Sequence, residues 1–237
     1  MKNLEKEIEQ ISNSTTPHKL SFFQKLYRFL KALAEFFIAL FALIVLTPLF
    51  IIVAIAIKID SKGPVFFKQK RIGKGGKEFT CIKFRSMSTE ARHDVAGYEY
   101  AEASAYITKV GAFIRKTSID ELPQLFNILT FKMSLIGFRP SQPSEHELND
   151  ARESYAMYQI RPGISGWAQV NGRDVLAAQP VKKAAYDAYY LKHFSLWLDI
   201  KIFFMTIGKV FKKDDIAEGV LKDKENNEAL EEETVNP

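Results

Sequence analysis

The stretch Phe36-Phe37-Ile38-Ala39-Leu40-Phe41-Ala42-Leu43-Ile44-Val45-Leu46-Thr47-Pro48-Leu49-Phe50-Ile51-Ile52-Val53-Ala54-Ile55-Ala56-Ile57 carries no charge and, Thr47 apart, no polar side chain. A helix of this length reaches across a hydrocarbon core of about 30 Å. A cleaved leader is not expected, since a long polar segment precedes the run and no small-residue cleavage site with a polar start follows it. Nor is a plain span expected. Pro48 lies mid-run, disfavours helical geometry at Thr47 and removes a backbone hydrogen bond, a loss the Thr47 hydroxyl is placed to offset. Both flanks are basic: Lys19, Lys25, Arg28 and Lys31 precede the run, and Lys58, Lys62, Lys68, Lys70, Arg71, Lys74 and Lys77 follow it. A single crossing concentrates Lys and Arg on one side. The expected element is therefore a re-entrant hairpin over residues 32–58, broken at Thr47-Pro48, with both ends on the cytoplasmic face.

The remaining composition fits this reading. The 237 residues suffice for one globular domain plus an appendage. The lone Cys81 excludes an internal disulfide, and its apolar alternating surroundings predict a buried, inert thiol. The net charge of +5 is concentrated beside the apolar run, as an anionic membrane surface or a phosphate-rich substrate would favour. No recognition helix, zinc finger or aromatic-basic signature accompanies it, so nucleic acid is not the expected partner. His18, His93, His146 and His193 are scattered, which argues against a histidine-built zinc site. The expected organisation is a cytoplasmic segment over 1–31, the membrane helix over 32–58, a catalytic domain over 59–213 and an acidic disordered tail over 214–237.

Within the domain, residues 64–69 and 79–84 read as strands joined through Gly73, Gly75 and Gly76. This join is not a phosphate loop, because Glu78 follows Lys77 and the upstream glycine is missing. Lys83 and Arg85 are expected to project from the end of the second strand as substrate phosphate-binding cations. A variable loop-and-helix connection is expected over 87–106, and helices over 110–115 and 145–158. Leu122, Leu125, Phe126, Leu129 and Met133 recur at helical spacing, as do Leu196, Ile200, Phe203, Phe204, Ile207 and Phe211; both faces read as interfacial, with a core-facing role the alternative for the first. The fold class expected is α+β and mostly helical, with a small β-hairpin and amphipathic interfacial helices.

The chemistry concentrates in Ser118-Ile119-Asp120-Glu121-Leu122-Pro123-Gln124. Ser118 and Glu121 form a capping-box pattern, and Asp120 suits a first helical turn, where amide donors are expected to keep it ionised. Arg115 and Lys116 precede the carboxylates and Gly137-Phe138-Arg139-Pro140 follows, so a nucleophile, a metal ligand and phosphate-binding cations share one short segment. Phosphoryl transfer needs those parts, because it depends on positioning and charge neutralisation. The segment from Arg161 to Arg173 adds a substrate loop with Gly163, Asn171 and Arg173, its Asn171-Gly172 pair marking a tight turn after a short strand. Ser165 is not a nucleophile elbow, since Trp167 stands where a glycine is needed.

Taken in order, these blocks resemble the bacterial sugar transferase family, the monotopic polyprenyl-phosphate phosphoglycosyl transferases, over residues 33–211. The blocks are the Pro-broken membrane helix, Gly63-Pro64-Val65-Phe66-Phe67-Lys68-Gln69 with Arg71 and Gly73, Lys83-Phe84-Arg85-Ser86-Met87, Asp120-Glu121-Leu122-Pro123-Gln124, Met133-Ser134-Leu135-Ile136-Gly137 with Arg139-Pro140, and the Arg161–Arg173 segment. The resemblance implies transfer of a sugar-1-phosphate from a UDP-sugar to a polyprenyl (undecaprenyl) phosphate at the inner membrane, with release of UMP. It implies Asp120 as nucleophile, Glu121 as Mg²⁺ ligand, and Lys83, Arg115 and Arg139 as phosphate-binding cations. Phe138 departs from the proline usual in the family, and Glu35 from a common aspartate. The rival readings are a non-catalytic anionic-lipid-binding assembly protein and a membrane-bound phosphatase. The sugar, the downstream polymer and the oligomeric state, homodimer included, are not fixed by the sequence.

Overall fold

The computed structural model describes residues 2–13, 17–89, 106–172, 176 and 179–211. Helix α1 (Lys2–Asn13) precedes α2 (Phe22–Asp60), a helix of 39 residues. Ser21 Oγ accepts from Gln24 N and Gln24 Oε1 accepts from Ser21 N, a capping box that starts α2 well before the apolar run. Helical structure is continuous through Pro48, so no non-helical residues interrupt α2. The Thr47 hydroxyl donates to Leu43 O at 2.7 Å. The carbonyl freed by proline is that of Ile44, one position further along, so Thr47 reinforces its own helical bond instead of replacing the missing one. By length and composition α2 is a candidate membrane segment, with a window of mean hydropathy 3.0 of which only 11% is buried.

The face that is buried runs the length of the helix. Lys31, Glu35 and Ala39 lie on it before Pro48, and Val53 and Ile57 after. Ala39 packs with Phe79, Cys81, Leu125 and Met133; Val53 and Ile57 pack with Phe84 and Ile114. Cys81 is therefore a core side chain, as expected.

Strands β1 (Phe66–Ile72) and β2 (Glu78–Phe84) pair antiparallel with Phe66 opposite Phe84 and Ile72 opposite Glu78. Their turn bends through Gly75 and Gly76 at φ 72° and 68°, conformations that favour glycine. The expected connection after Met87 lies largely outside the described residues, as do Arg173 and the expected acidic tail. Helix α3 (Lys109–Lys116) is capped by the Thr108 hydroxyl. A tight 3₁₀ turn, Ile119–Glu121, leads to the short α4 (Gln124–Leu129). Strand β3 (Ser134–Ile136) pairs parallel with β4 (Gly163–Ser165), and α5 (His146–Ser154) lies between them in the chain. Three helices complete the domain: α6 (Trp167–Gly172), α7 (Pro180–Lys192) and α8 (Leu196–Phe211).

The largest core cluster surrounds α7, whose Ala184, Ala185, Ala188 and Leu191 meet Phe138, Leu148, Met157 and Ile202. Several expectations change here. Helices α1 and α7 and strand β3 carry no expectation from the sequence. The helix expected over 145–158 stops at Ser154, where Ala156 enters a left-handed conformation (φ 57°). Asn171-Gly172 ends a helix and is not a turn after a strand. The α4 face is divided: Leu125 and Met133 are buried against α2 and β2, the core-facing alternative, while Phe126 is exposed. On α8, Leu196, Trp197, Phe203 and Phe204 are exposed while Leu198 and Ile202 reach the core.

Candidate active site

Ser118 adopts a left-handed conformation (φ 56°) and its side chain makes no capping bond, so the capping box does not form. The reversal it produces seats Ile119 against the cluster of Val53, Ile57, Phe84 and Ile114, and the carboxylates of Asp120 and Glu121 come next in the turn. Glu121 Oε1 accepts from Lys83 Nζ at 2.8 Å and from Arg139 Nη2 at 2.9 Å, and its side chain is 13% exposed. Lys83 comes from the penultimate position of β2, Arg139 from the loop after β3. Arg115, in the last turn of α3, is oriented by its Nε–H bond to the buried Ser86 Oγ at 2.7 Å. Three chain segments thus bring cations to one pair of carboxylates.

The electrostatics separate the pair. Burial pushes the Asp120 carboxyl above its ordinary value, with Glu121 adding to the rise and Lys83, Arg115 and Arg139 opposing it. At Glu121 burial also acts upward, but the charges and hydrogen bonds of Arg139 and Lys83 outweigh it and hold the carboxyl far below the usual range. Adjacent carboxylates driven in opposite directions are suited to different tasks. The expectation that a helix terminus keeps Asp120 readily ionised gives way to burial as the dominant influence.

The fit of a divalent ion follows from donor chemistry. Asp120 and Glu121 offer oxygens only, which suits Mg²⁺, an ion held by one or two carboxylates plus substrate phosphates and water. Among the described residues no group of three or more His, Cys, Asp or Glu side chains forms a metal cage. Glu121, buried among the cations, is the side chain such an ion would use.

Other expected site residues lie elsewhere. Arg85 is buried and donates to the Ser61 carbonyl at 2.7 Å and to that of Lys62. It closes the end of α2, where carbonyls lack helical partners. Arg161 pairs with Glu35 at 3.1 Å and sits over the Phe131 ring. Gly163 is a packing requirement of the β3–β4 pair, because a Cβ there would lie 2.1 Å from Gly137 N. Asn171 Nδ2 donates to Trp167 O within α6. Thr47 and Pro48 are exposed on α2.

The sequence does not single out Asn127 or Ser86, and marks Glu35 only as a departure from a common aspartate. Asn127 is buried, takes the Ile82 amide on Oδ1 and gives Nδ2 to Thr80 O, fastening α4 to β2 like an added strand residue. A polar amide inside the apolar pattern of α4 is the signal that marks it. Glu35 accepts from Ser134 Oγ and Leu135 N as well as from Arg161, so it ties α2 to β3.

Comparison with known proteins places these residues in context. A family profile described as bacterial sugar transferase matches residues 26–213. The chain is 44% identical over 189 residues to the UDP-N-acetylgalactosamine-undecaprenyl-phosphate N-acetylgalactosaminephosphotransferase of Aeromonas hydrophila, covering 78% of this chain and 44% of that protein. It is 40% identical over 185 residues to the UDP-glucose:undecaprenyl-phosphate glucose-1-phosphate transferase of Xanthomonas campestris pv. campestris, covering 76% and 38%. With the uncharacterized sugar transferase EpsL of Bacillus subtilis it shares 42% over 168 residues, 71% of this chain and 79% of that one. The chain spans less than half the length of the first two relatives.

Proposed function

The chain belongs to the bacterial sugar transferase family, and from that premise we propose that it transfers a sugar-1-phosphate from a UDP-sugar to undecaprenyl phosphate through a covalent intermediate on Asp120. The observation that carries this reading is the convergence of Lys83 and Arg139 on Glu121, beside a second carboxylate of opposite electrostatic character.

In the first step an Asp120 carboxylate oxygen attacks the sugar-bearing phosphorus. The bond from that phosphorus to the oxygen bridging the two phosphates breaks, and UMP leaves with the oxygen. In the second step an oxygen of undecaprenyl phosphate attacks the same phosphorus, giving the polyprenyl diphosphate sugar and returning Asp120 as carboxylate. The obstacle in both is repulsion between an anionic nucleophile and an anionic phosphate. Lys83, Arg115 and Arg139 neutralise that charge, and Arg139 offers the planar guanidinium suited to phosphate oxygens. Mg²⁺ held by Glu121 would supply further charge neutralisation on the diphosphate. The acceptor would arrive through the membrane, and α2, a candidate membrane segment by length and composition, and the exposed aromatic face of α8 suit contact with it. An open apolar groove of about 360 Å³, lined by α2 side chains including Leu43, Phe50 and Ala54 together with Phe126 of α4, suits its hydrocarbon tail. The cytoplasmic face of the inner membrane is the side on which this reading puts the site.

The test is UMP release from UDP-glucose, UDP-N-acetylgalactosamine and further UDP-sugars. Without acceptor, the accepted donor should give a single burst of UMP equal to the enzyme present; adding undecaprenyl phosphate should restore turnover. Turnover with acceptor but no burst without it rejects the covalent route.

A further inference from the structure

Behind Arg139 lies a second cationic centre that the chemistry above does not use. Arg152, on α5, is completely buried, and its Nε and Nη2 donate to Asp187 Oδ2 of α7 at 3.0 and 2.6 Å. A buried guanidinium paired in this way usually serves packing alone. Here its remaining faces are directed at the loop that carries Arg139. Nη1 donates to Ser141 Oγ at 3.1 Å, and the guanidinium carbon lies 4.9 Å from the centre of the Phe138 ring. Phe138 and Ser141 bracket the dipeptide Arg139-Pro140 on its two sides.

The rest of the loop is fixed as well. Phe138 O accepts from Gly163 N at 2.8 Å, Pro140 O from Arg71 Nη1 at 3.2 Å and Ser141 O from Ile72 N at 2.9 Å. Ser141 Oγ also donates to Asn149 Oδ1, on the same helix as Arg152. Phe138 completes the clamp with an edge-to-face contact to Tyr158. The side chain left to reach the carboxylates from this anchored loop is that of Arg139.

We propose that Arg152 is the positioning residue for Arg139, a buried platform that grips the loop on both sides and fixes where the Arg139 guanidinium meets the substrate diphosphate. The planar shape is what matters. A guanidinium stacks on Phe138 while donating to Asp187 and Ser141 at once, whereas a lysine ammonium in the same place keeps the charge opposite Asp187 but not the flat face or the fork. Phe138 thus restrains the loop through a ring resting on Arg152. This inference rests on the reading of Arg139 as a phosphate-binding cation.

The experiment uses the full chain in nanodiscs and UDP as the probe, with affinity measured by calorimetry in the presence of Mg²⁺. UDP carries the diphosphate of every UDP-sugar, so the identity of the donor does not matter. Arg139→Ala tests the underlying reading, and failure of the wild type to bind UDP, or unchanged affinity in Arg139→Ala, overturns that reading together with this proposal. If Arg139→Ala weakens UDP, Arg152→Lys should weaken it about tenfold in the otherwise native chain and hardly at all in the Arg139→Ala background. Such non-additivity marks two residues acting through one interaction. Equal losses in both backgrounds mean that Arg152 is purely structural and reject the proposal. If Arg152→Lys does not fold, Phe138→Leu and Ser141→Ala, which loosen the same clamp from the loop side, are put through the same cycle and decide the question by the same criterion.

Discussion

At Asp120 burial opposes the ionisation that a nucleophile requires, and this has two consequences for the protein. A carboxyl whose pKa is raised in the fold favours the neutral form there; once ionised above that pKa it costs stability relative to the unfolded chain. Asp120→Asn is neutral at every pH and escapes the cost. It should abolish turnover while melting at or above the wild-type temperature, a trade seen where stability is given up for activity. UMP release and thermal unfolding, measured side by side, check this, and a folded, active Asp120→Asn sinks the covalent route. Lys83 is the largest of the charges that hold Asp120 down. Lys83→Gln should therefore lower kcat/KM and move its acid limb to higher pH, since the carboxylate is now deprotonated later; a lowered but unmoved profile means that Lys83 acts on the substrate alone. The carboxylate pair was legible because its chemistry is packed into a few consecutive residues. Arg85 was not. Strand alternation puts positions 83 and 85 on one face, but β2 ends at Phe84, and the chain beyond it turns Arg85 to the end of α2. Arg161 was equally hidden, because its partner Glu35 stands far away in the chain and no local pattern announces the meeting.

Elements show the same division between what periodicity tells and what it leaves out. The hairpin, α3 and the exposed face of α8 follow from alternation, capping and helical spacing, and the structure has them where expected. The apolar face of α4 has the same spacing as that of α8, but what covers it is α2, and an amphipathic pattern does not state whether its partner is protein or lipid. Helix α7 escaped because its alanines are small, giving a weak hydrophobic stripe at the position where the core packs most closely. The most consequential feature of α2 is likewise invisible in its hydropathy: the buried charges near its start. Lys31 reaches Asp199, Glu35 pairs with Arg161, and Tyr27 and Tyr190 donate to Asp199. Removing one partner of such a pair leaves the other charged and buried. Glu35→Ala strands Arg161 and the Leu135 amide, and should cost about 3–5 kcal/mol in thermal or denaturant unfolding in detergent. Glu35→Asp, which keeps the charge on a shorter stem, should cost much less. Equal losses in the two variants would mean that side-chain length, and not charge pairing, is what this site demands.

For the whole molecule the decisive relation is that both halves of α2 pack on the same domain. Before Pro48 the helix is tied to α8, β3 and the segment leading to β4 through Lys31 and Glu35; after Pro48 it is tied to β2 and α3 through Val53 and Ile57. A helix that leaves its domain to cross a bilayer keeps contact at one end only. Contact along its length, together with basic residues on both flanks, is what a chain that enters and leaves by the same face would have. Cysteines placed singly by Ser12→Cys, on α1, and by Lys224→Cys should therefore both resist a membrane-impermeant thiol reagent in intact cells and both react once the membrane is opened. The native Cys81 lies in the core, and Cys81→Ala removes it from the assay with little change in volume. Pro48 is the natural suspect for setting this topology, since Pro48→Ala returns the amide donor that Ile44 O lacks. Yet α2 is already helical through Pro48, and the packed stripe on either side of it does not involve the proline ring. Pro48→Ala should thus leave the Ser12→Cys site protected, whereas Pro48→Ala combined with Glu35→Ala, which also releases the first half of the helix, should raise its labelling. Labelling of Ser12→Cys in intact cells without either change would establish a true span and overturn the same-face arrangement. A rise with Pro48→Ala alone would instead return the control of topology to the proline.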